Sequence, residues 1–150
     1  MSWEEKDAQC TVALALSIVG LFLLGGVAQA DQITFKADLA SAAEVPPVTS
    51  PGKGSATASL DTTTKTLTWT VTYSGLSGPA TAGHIHGPAA LGANAGVLVP
   101  FSGDLASPIK GSATLTDAQV SDLEAGKLYV NLHTAANKPG EIRGQLLRTP

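Results

Sequence analysis

Residues 66–73 read Thr-Leu-Thr-Trp-Thr-Val-Thr-Tyr, and this stretch decides the fold class. Four large apolar or aromatic side chains alternate there with four threonines. Because successive side chains of a β-strand point to opposite faces, the alternation predicts a strand with one buried face and one hydroxyl-bearing outer face. Residues 54–60 repeat the pattern with alanine and leucine on one side. The two stretches therefore predict a hairpin whose turn begins at Asp61.

Working outward, shorter apolar stretches predict the remaining strands. They lie at 33–39, 97–101, 111–115, 128–133 and 141–147. The chain also contains 16 glycines and 9 prolines, residues that favour the tight turns between short strands. With the segment around His84, these stretches predict seven or eight strands in an all-β sandwich or partly closed barrel.

One short helix interrupts the strands. Thr116 and Gln119 have the spacing of a capping box, in which each side chain binds the other's backbone N–H. Leu115 and Val120 flank that cap at the positions of a hydrophobic staple. Gly126 then supplies a residue that can end the helix in the left-handed conformation. The pattern predicts a helix of two to three turns.

Composition restricts the class of protein. The chain has 150 residues, enough for one domain of ordinary size, with 43% apolar and 14% charged residues. Its formal net charge is −3, and residues 31–150 carry eight Lys and Arg against nine Asp and Glu. Nucleic-acid binding needs a basic face, so this charge argues against a nucleic-acid partner.

The first thirty residues predict export. Residues 11–27 are uncharged and apolar, and Ala28-Gln29-Ala30 matches the small-x-small pattern of a signal-peptidase site. Cleavage after Ala30 leaves residues 31–150 as a secreted or periplasmic domain, and only the segment before the cleavage site is predicted to contact the membrane. An uncleaved N-terminal anchor is the alternative, because residues 4–7 carry three acidic side chains and one lysine. Cys10 is the only cysteine, so the mature domain contains no disulfide.

Three histidines are the candidate functional residues. His84 and His86 are two residues apart in a predicted strand, so they share a face and Ile85 points the opposite way. In the strand at 128–133, leucine and valine form the apolar set, and His133 belongs to the opposite set. All three imidazoles are thus predicted to face away from the core, on the outer surface or in a pocket covered by a loop.

Such a trio suits a transition metal. Three imidazole nitrogens with an open position favour Cu(II) or Zn(II) over Mg²⁺ or Ca²⁺, which prefer oxygen ligands. The alternative is structural: histidines beside glycine often bind backbone carbonyls and hold loops. The pattern leaves open a metal site at His84, His86 and His133 and a domain without metal.

Polar residues near the histidines are candidate supporting groups. Asn131 has the phase of His133, and Glu141 and Arg143 are predicted to face the same side from the last hairpin. Arg143 is predicted to pair with Glu141 or Glu44, to support the cluster, or to form a surface ion pair. Glu44 opens a segment with two prolines, which predicts an extended edge or a rigid bend that protects a sheet edge.

Four motifs in order give the chain a family resemblance. They are Leu39 with Glu44-Val45-Pro46-Pro47, His84-Ile85-His86-Gly87, Tyr129-Val130-Asn131-Leu132-His133-Thr134, and Pro139-Gly140-Glu141-Ile142-Arg143-Gly144-Gln145. From Phe35 to Leu146 the chain resembles the CHRD domain, which takes its name from the repeats of chordin and is found in many secreted bacterial proteins. The resemblance implies an immunoglobulin-like Greek-key sandwich or barrel, distantly like the fold of copper–zinc superoxide dismutase.

The sequence predicts the function of the protein less directly than its fold. The resemblance implies no activity, and the chain has neither a nucleophile elbow nor a phosphate-binding loop. Three hypotheses remain: a module that binds copper or zinc, a structural or protein-interaction domain without metal, and a copper-only redox enzyme. Three histidines cannot supply a dinuclear copper–zinc site with four copper ligands, so we expect a binding module with an unidentified protein or metal partner and no enzyme activity.

Overall fold

Residues 31–150 are the part of the chain that the structure, a computed structural model, describes. Within them nine strands and one α-helix follow one another. The strands are β1 (Gln32–Ala40), β2 (Lys53–Asp61), β3 (Thr66–Ser74), β4 (Ala80–His86), β5 (Val97–Pro100), β6 (Ile109–Thr114), β7 (Tyr129–Thr134), β8 (Ile142–Gln145) and β9 (Leu147–Arg148). The helix α1 (Asp117–Glu124) joins β6 to β7. The predicted signal segment, 1–30, lies outside the described residues.

All strands belong to one antiparallel sheet. Its order is β5-β4-β7-β8-β1-β2-β3-β6, and the short β9 pairs with β1. Strands β1 to β3 form a meander, whereas β4 and β7 are sheet neighbours although β5, β6 and α1 lie between them in sequence. The predicted all-β, barrel-like or sandwich architecture with one short helix is confirmed.

The alternation in β2 and β3 produces the core. Ala58 lies opposite Trp69 in the register of these strands, and both are buried while the intervening threonines face outward. Each fully buried aliphatic side chain contributes roughly 1.5–3 kcal/mol. The other large core side chains come from several strands, namely Phe35, Leu39, Leu60, Leu67, Val71, Ile85, Ile109, Leu132 and Ile142.

The helix forms where the capping box predicts it. Thr116 Oγ1 accepts a hydrogen bond from the Gln119 backbone N–H at 3.3 Å, and Gln119 Oε1 accepts one from the Thr116 N–H at 2.9 Å. Leu123 is fully buried, and Gly126 ends the helical segment with φ +68°. Within residues 31–150 we find no helix with the length and apolar character needed to span a membrane.

Two of the predicted strands differ from the structure by more than one residue at an end. The stretch 141–147 is not one strand: β8 pairs with β7 and β1, the chain breaks its pairing at Leu146, and β9 pairs with β1 alone. The Leu146 N–H instead donates to the Leu128 carbonyl at 2.9 Å. Strand β6 begins at Ile109, two residues before the predicted start, because Ile109 pairs with Val71 and packs in the core.

The proline segment after β1 is a bend, and none of its residues belongs to a strand. A 3₁₀ turn at Ser41–Ala43 precedes it, and the Val48 N–H returns to the Ser41 carbonyl at 3.0 Å. Strand β1 has β2 on one side and β8 and β9 on the other, so it has no free edge there. The bend instead places Glu44 near β7.

Candidate metal centre

Two neighbouring strands bring the three histidines together. In β4, His84 and His86 lie on one face and Ile85 lies on the other, where it is fully buried in the core. Strand β7 pairs with β4 so that His133 lies opposite Ala82. The predicted orientation of the histidines, on the face of the sheet opposite Ile85, is therefore confirmed, and the three imidazoles occupy one side of the sheet.

The three rings form a close cluster. His84 Nδ1 lies 3.0 Å from His133 Nε2, and the centroids of these rings are 4.8 Å apart. The centroid of His86 lies 5.2 Å from that of His84 and 6.2 Å from that of His133. His86 and His133 are each 8% exposed, whereas His84 is only partly buried. The cluster is thus a pocket with one side open to solvent.

Backbone carbonyls determine the tautomers of two rings. His86 Nδ1 lies 3.1 Å from the Ala95 carbonyl oxygen, and His133 Nδ1 lies 2.9 Å from the Lys138 carbonyl oxygen. Because a carbonyl oxygen only accepts, each Nδ1 must carry the proton, and in the neutral ring each Nε2 then has a free lone pair. His86 Nε2 is buried and has no hydrogen-bond partner.

Electrostatics favour neutral imidazoles. Burial lowers the pKa of His84, and the neighbouring His133 and His86 lower it further. Burial also lowers the pKa of His86, with His133 and Arg143 acting in the same direction and the carbonyls of Ala95 and Gly96 opposing them. A neutral imidazole is the form that binds a metal ion, so both shifts preserve ligand capacity as the pH falls.

The donor set fits one metal ion. One ligand nitrogen from each histidine lies within 4.8 Å of the others. Three points no more than 4.8 Å apart all lie within about 2.8 Å (4.8/√3) of a common point. Metal–nitrogen bonds are ~2.0–2.1 Å long, so ring movements of roughly 1 Å suffice to bind an ion. The cluster therefore has the composition of a three-nitrogen transition-metal site, and its nitrogens are close enough to hold one ion after small ring movements.

A stack of three side chains supports His86. The imidazole of His86 stacks on the ring of Tyr129 with a centroid separation of 4.9 Å and an interplanar angle of 5°. The guanidinium carbon of Arg143 lies 3.5 Å from the centroid of the same Tyr129 ring. Tyr129 is thus held between the imidazole and the guanidinium group, and a cation over an aromatic face is a stabilising arrangement.

Arg143 makes neither of the predicted ion pairs. Its guanidinium group donates to Asn94 Oδ1 at 2.8 Å and to the Ala93 carbonyl, both in the loop between β4 and β5. Among the described residues its hydrogen-bond partners are these neutral groups, and no salt bridge joins it to Glu44 or Glu141. Arg143 is only 2% exposed, so the predicted surface ion pair is also wrong.

Glu44 and Asn131 form a second buried polar contact. Asn131 Nδ2 donates to Glu44 Oε1 and also reaches the Ile142 carbonyl at 3.3 Å. Burial raises the pKa of Glu44 to about 7, although Arg143 and the Asn131 hydrogen bond lower it. Gly140 has φ +144°, and a Cβ there would lie 2.5–2.7 Å from the Asn131 and Glu44 side chains. A larger residue at 140 would therefore displace this pair.

A small cavity separates this pair from the histidines. Its volume is about 140 Å³, and His86, Glu44, Tyr129, Asn131 and Arg143 all line it. Three predicted supporting residues, Asn131, Arg143 and Glu44, thus line a cavity together with His86.

Glu141, the fourth predicted supporting residue, lies in a different network. Its fully buried carboxylate accepts hydrogen bonds from Ser50 Oγ, Ser77 N–H, Ser77 Oγ and Thr134 Oγ1 at 2.6–2.7 Å. Burial alone would raise the pKa of Glu141, but these hydrogen bonds outweigh burial and lower the pKa to about 2. The prediction that Glu141 faces the histidines with Arg143 is therefore wrong, and Glu141 instead joins β7 to two loops.

Sequence reasoning missed three contributors. Tyr129 shares the phase of Asn131 and His133, which is the signal that places it on the histidine side, yet its stacking role was not predicted. The carbonyls of Ala95 and Lys138 orient two imidazoles, and backbone carbonyls have no side-chain signature. The backbone of the loop 87–96 contacts both His86 and Arg143, and nothing in its side chains indicates this role.

Fold and site together define a class: an all-β domain with a three-histidine cluster on one side of its sheet. The protein-family model of the CHRD domain matches residues 35–146, and the chain belongs to the CHRD domain family. The match covers all of the histidines and nearly all of the described residues. A comparison with curated proteins found no match, and a comparison with solved structures found none either.

Proposed function

We propose that this CHRD domain binds a transition-metal ion, copper or zinc, through His84, His86 and His133. One observation carries the proposal. Two of the three imidazoles have Nδ1 bound to a carbonyl, so their Nε2 atoms carry no proton, and the three histidines lie close enough together to bind one ion. Metal-binding histidines commonly use this arrangement, in which the second ring nitrogen donates to a carbonyl or carboxylate. A buried lone pair without a partner, such as His86 Nε2, is otherwise costly.

The ligand chemistry selects the class of metal. Imidazole nitrogen suits Cu(II) and Zn(II), whereas Mg²⁺ and Ca²⁺ take oxygen ligands. The partial exposure of His84 gives an ion a route from solvent into the cluster. Three protein ligands leave a further coordination position for water or for a donor from a partner.

Calorimetric titration of the full chain tests the proposal. The background variant Cys10→Ser removes the only thiol, so that no thiolate competes with the three imidazoles for the added ion. We expect Cu(II) and Zn(II) to bind with one ion per chain, and His86→Ala to weaken binding by about 100-fold or more. Thr57→Ala, at an exposed position of strand β2 outside the cluster, is the control and should bind like wild type. Equal, weak binding in wild type and His86→Ala would refute the proposal.

A domain without metal is the second candidate, and one contact favours it. With His133 Nε2 as an acceptor, His84 Nδ1–H can donate to it across the observed 3.0 Å, which satisfies both rings without an ion. Under this hypothesis the histidines hold β4 to β7 and a protein partner is recognised elsewhere. The same titration separates the two candidates, because a purely structural cluster takes up no ion.

We propose a binding role and no enzyme activity, in an extracytoplasmic setting. The setting rests on the apolar residues 11–27 and the Ala28-Gln29-Ala30 motif, and detection of a mature N-terminus at Asp31 would support it. Copper-dependent redox turnover is the remaining hypothesis. An assay of superoxide decay with copper-loaded protein decides it, with His86→Ala as control. A rate no higher than that of His86→Ala supports binding alone.

A further inference from the structure

Three consecutive loop residues receive most of the hydrogen bonds that tie the loop 87–96 to the stack. Arg143 donates to the Ala93 carbonyl and to Asn94 Oδ1. At Ala95, the carbonyl oxygen faces His86 Nδ1, and the N–H donates to Tyr129 Oη at 3.1 Å. The segment Ala93–Ala95 is therefore attached to the sheet by the same three side chains that form the stack.

No salt bridge among the described residues accounts for the burial of Arg143, although Glu44 lines the same cavity and its pKa is lowered by Arg143. It is 2% exposed, and its two loop acceptors are neutral oxygens. Burying a cation without an ion pair is expensive, and such groups persist where their hydrogen bonds perform a task. The planar guanidinium group stacks on Tyr129 with its face while its edge binds the loop, a combination that a lysine cannot reproduce.

We propose that Arg143 is a positioning residue that sets the tautomer of His86. It does so by holding Ala93–Ala95 so that the Ala95 carbonyl accepts the His86 Nδ1 proton. The tautomer part of this inference stands without a metal ion, and the consequence for affinity rests on the proposed metal binding.

The physical consequence follows from the lone pair. When the Ala95 carbonyl moves away, the hydrogen bond that keeps the proton on Nδ1 is lost, and His86 populates both neutral tautomers. The form with the proton on Nε2 cannot bind an ion through that nitrogen. The apparent dissociation constant for the metal ion is inversely proportional to the fraction of chains in which His86 has the binding tautomer. Movement of the loop and the stack also disturbs the orientation of the His86 ring.

Nitrogen-15 NMR of the histidine side chains tests the tautomer directly, in the metal-free full chain carrying Cys10→Ser. We expect wild type to report Nδ1–H for His86 and for His133. Arg143→Gln should give His86 a mixture of tautomers while His133 keeps Nδ1–H, because the Lys138 carbonyl belongs to another loop. Arg148→Gln, which removes the other arginine from the exposed strand β9, is the matched control and should change neither ring.

A milder variant covers the case in which Arg143→Gln does not fold. Asn94 is exposed and accepts from Arg143, so Asn94→Ala removes that acceptor and the Asn94 Nδ2 bond to the Val45 carbonyl without opening the core. We expect a smaller shift of the His86 tautomer in the same direction. If His86 keeps Nδ1–H in every folded loop variant, or if His133 changes equally, the inference is overturned.

Metal affinity supplies the second measurement. Arg143→Gln should weaken Zn(II) binding by about 10-fold or more, and Arg143→Lys should restore little of it because the stacked fork is lost. Unchanged affinity together with a shifted tautomer would refute the affinity part alone. Absence of Zn(II) binding in wild type would refute the proposed function and leave the NMR result to decide the positioning role.

Discussion

At the scale of single residues, Glu44 and Glu141 are buried carboxyl groups whose pKa values move in opposite directions. Glu44 has one side-chain donor, Asn131, and burial dominates its pKa. Glu141 accepts four hydrogen bonds, and together they lower its pKa by more than burial raises it. Their contributions to stability therefore depend on pH with opposite signs.

We predict that Glu141→Gln removes the part of the acid-induced loss of stability that comes from protonation of Glu141. A folded pKa of about 2 lies below the ordinary value of 4.5, so ionised Glu141 stabilises the fold fully above 4.5 and progressively less as the pH falls toward 2. The variant should lose about 1–3 kcal/mol near neutral pH, because a glutamine amide cannot accept all four bonds, and the loss should shrink in acid. Urea denaturation across this range measures it. Glu124→Gln, at an exposed carboxyl, is the control.

We predict the reverse for Glu44→Gln. A folded pKa of about 7 lies above 4.5, so the folded chain retains a proton that the unfolded chain releases, and stability falls as the pH rises between those values. The variant should lose that slope and gain stability relative to wild type toward pH 7 and above, since a glutamine carbonyl still accepts from Asn131. Urea denaturation over the same range checks the prediction. An unchanged pH slope would contradict it.

The histidine cluster shows what sequence can predict at this scale. Parity along β4 and β7 placed His84, His86 and His133 on one face, because the side-chain period of a strand is two. Parity also placed Asn131 and Arg143 correctly, but it failed for Glu141, which precedes β8 and follows a glycine turn. The partners of Arg143 were unpredictable because they are loop oxygens, whose positions depend on the folded path of 87–96.

At the scale of elements, the contact between β8 and β1 depends on a glycine. A Cβ at Gly144 would lie 2.3 Å from the Asp38 carbonyl oxygen and 2.8 Å from its carbon, both backbone atoms. We predict that Gly144→Ala separates β8 from β1 and lowers the free energy of unfolding by about 1–3 kcal/mol or more. Gly78→Ala, where a Cβ has open space, is the control in urea denaturation. Equal stability of the two variants would show that β8 moves freely.

The helix offers a second test. Thr116→Ala removes the acceptor of the Gln119 N–H, and we expect a loss of about 1 kcal/mol in thermal or urea denaturation. Ser121→Ala, within the same helix, leaves the cap intact and should have a smaller effect. Metal binding should be unaffected in both, because α1 contributes no residue to the histidine cluster.

Elements themselves were largely predictable. Alternation and the capping box act over a few residues, so β1 to β3 and α1 are close to their predicted bounds. The break at Leu146 was not predictable, because alternation does not reveal which strand is the neighbour. At Leu146 the chain leaves its pairing with β7, and strand β8 ends. Leu147 then pairs with Lys36 of β1.

At the scale of the whole molecule, a bound ion should stabilise the fold. An ion that binds only the folded state adds about 2.7 kcal/mol at 100 times its dissociation constant, which corresponds to a rise of several degrees in Tm. We expect Zn(II) or Cu(II) to raise Tm for wild type and not for His86→Ala. Mg²⁺ should leave Tm unchanged because the cluster offers nitrogen donors. A rise in both proteins would point to ions bound outside the cluster.

His84 and His133 are 49 positions apart, and they meet only after β7 has been added alongside β4. A growing or partly folded chain therefore offers at most the two imidazoles of β4, a much weaker chelate than the complete trio. If the cluster binds an ion as proposed, loading follows the assembly of β4 with β7, and the ion comes from the compartment that the finished domain occupies.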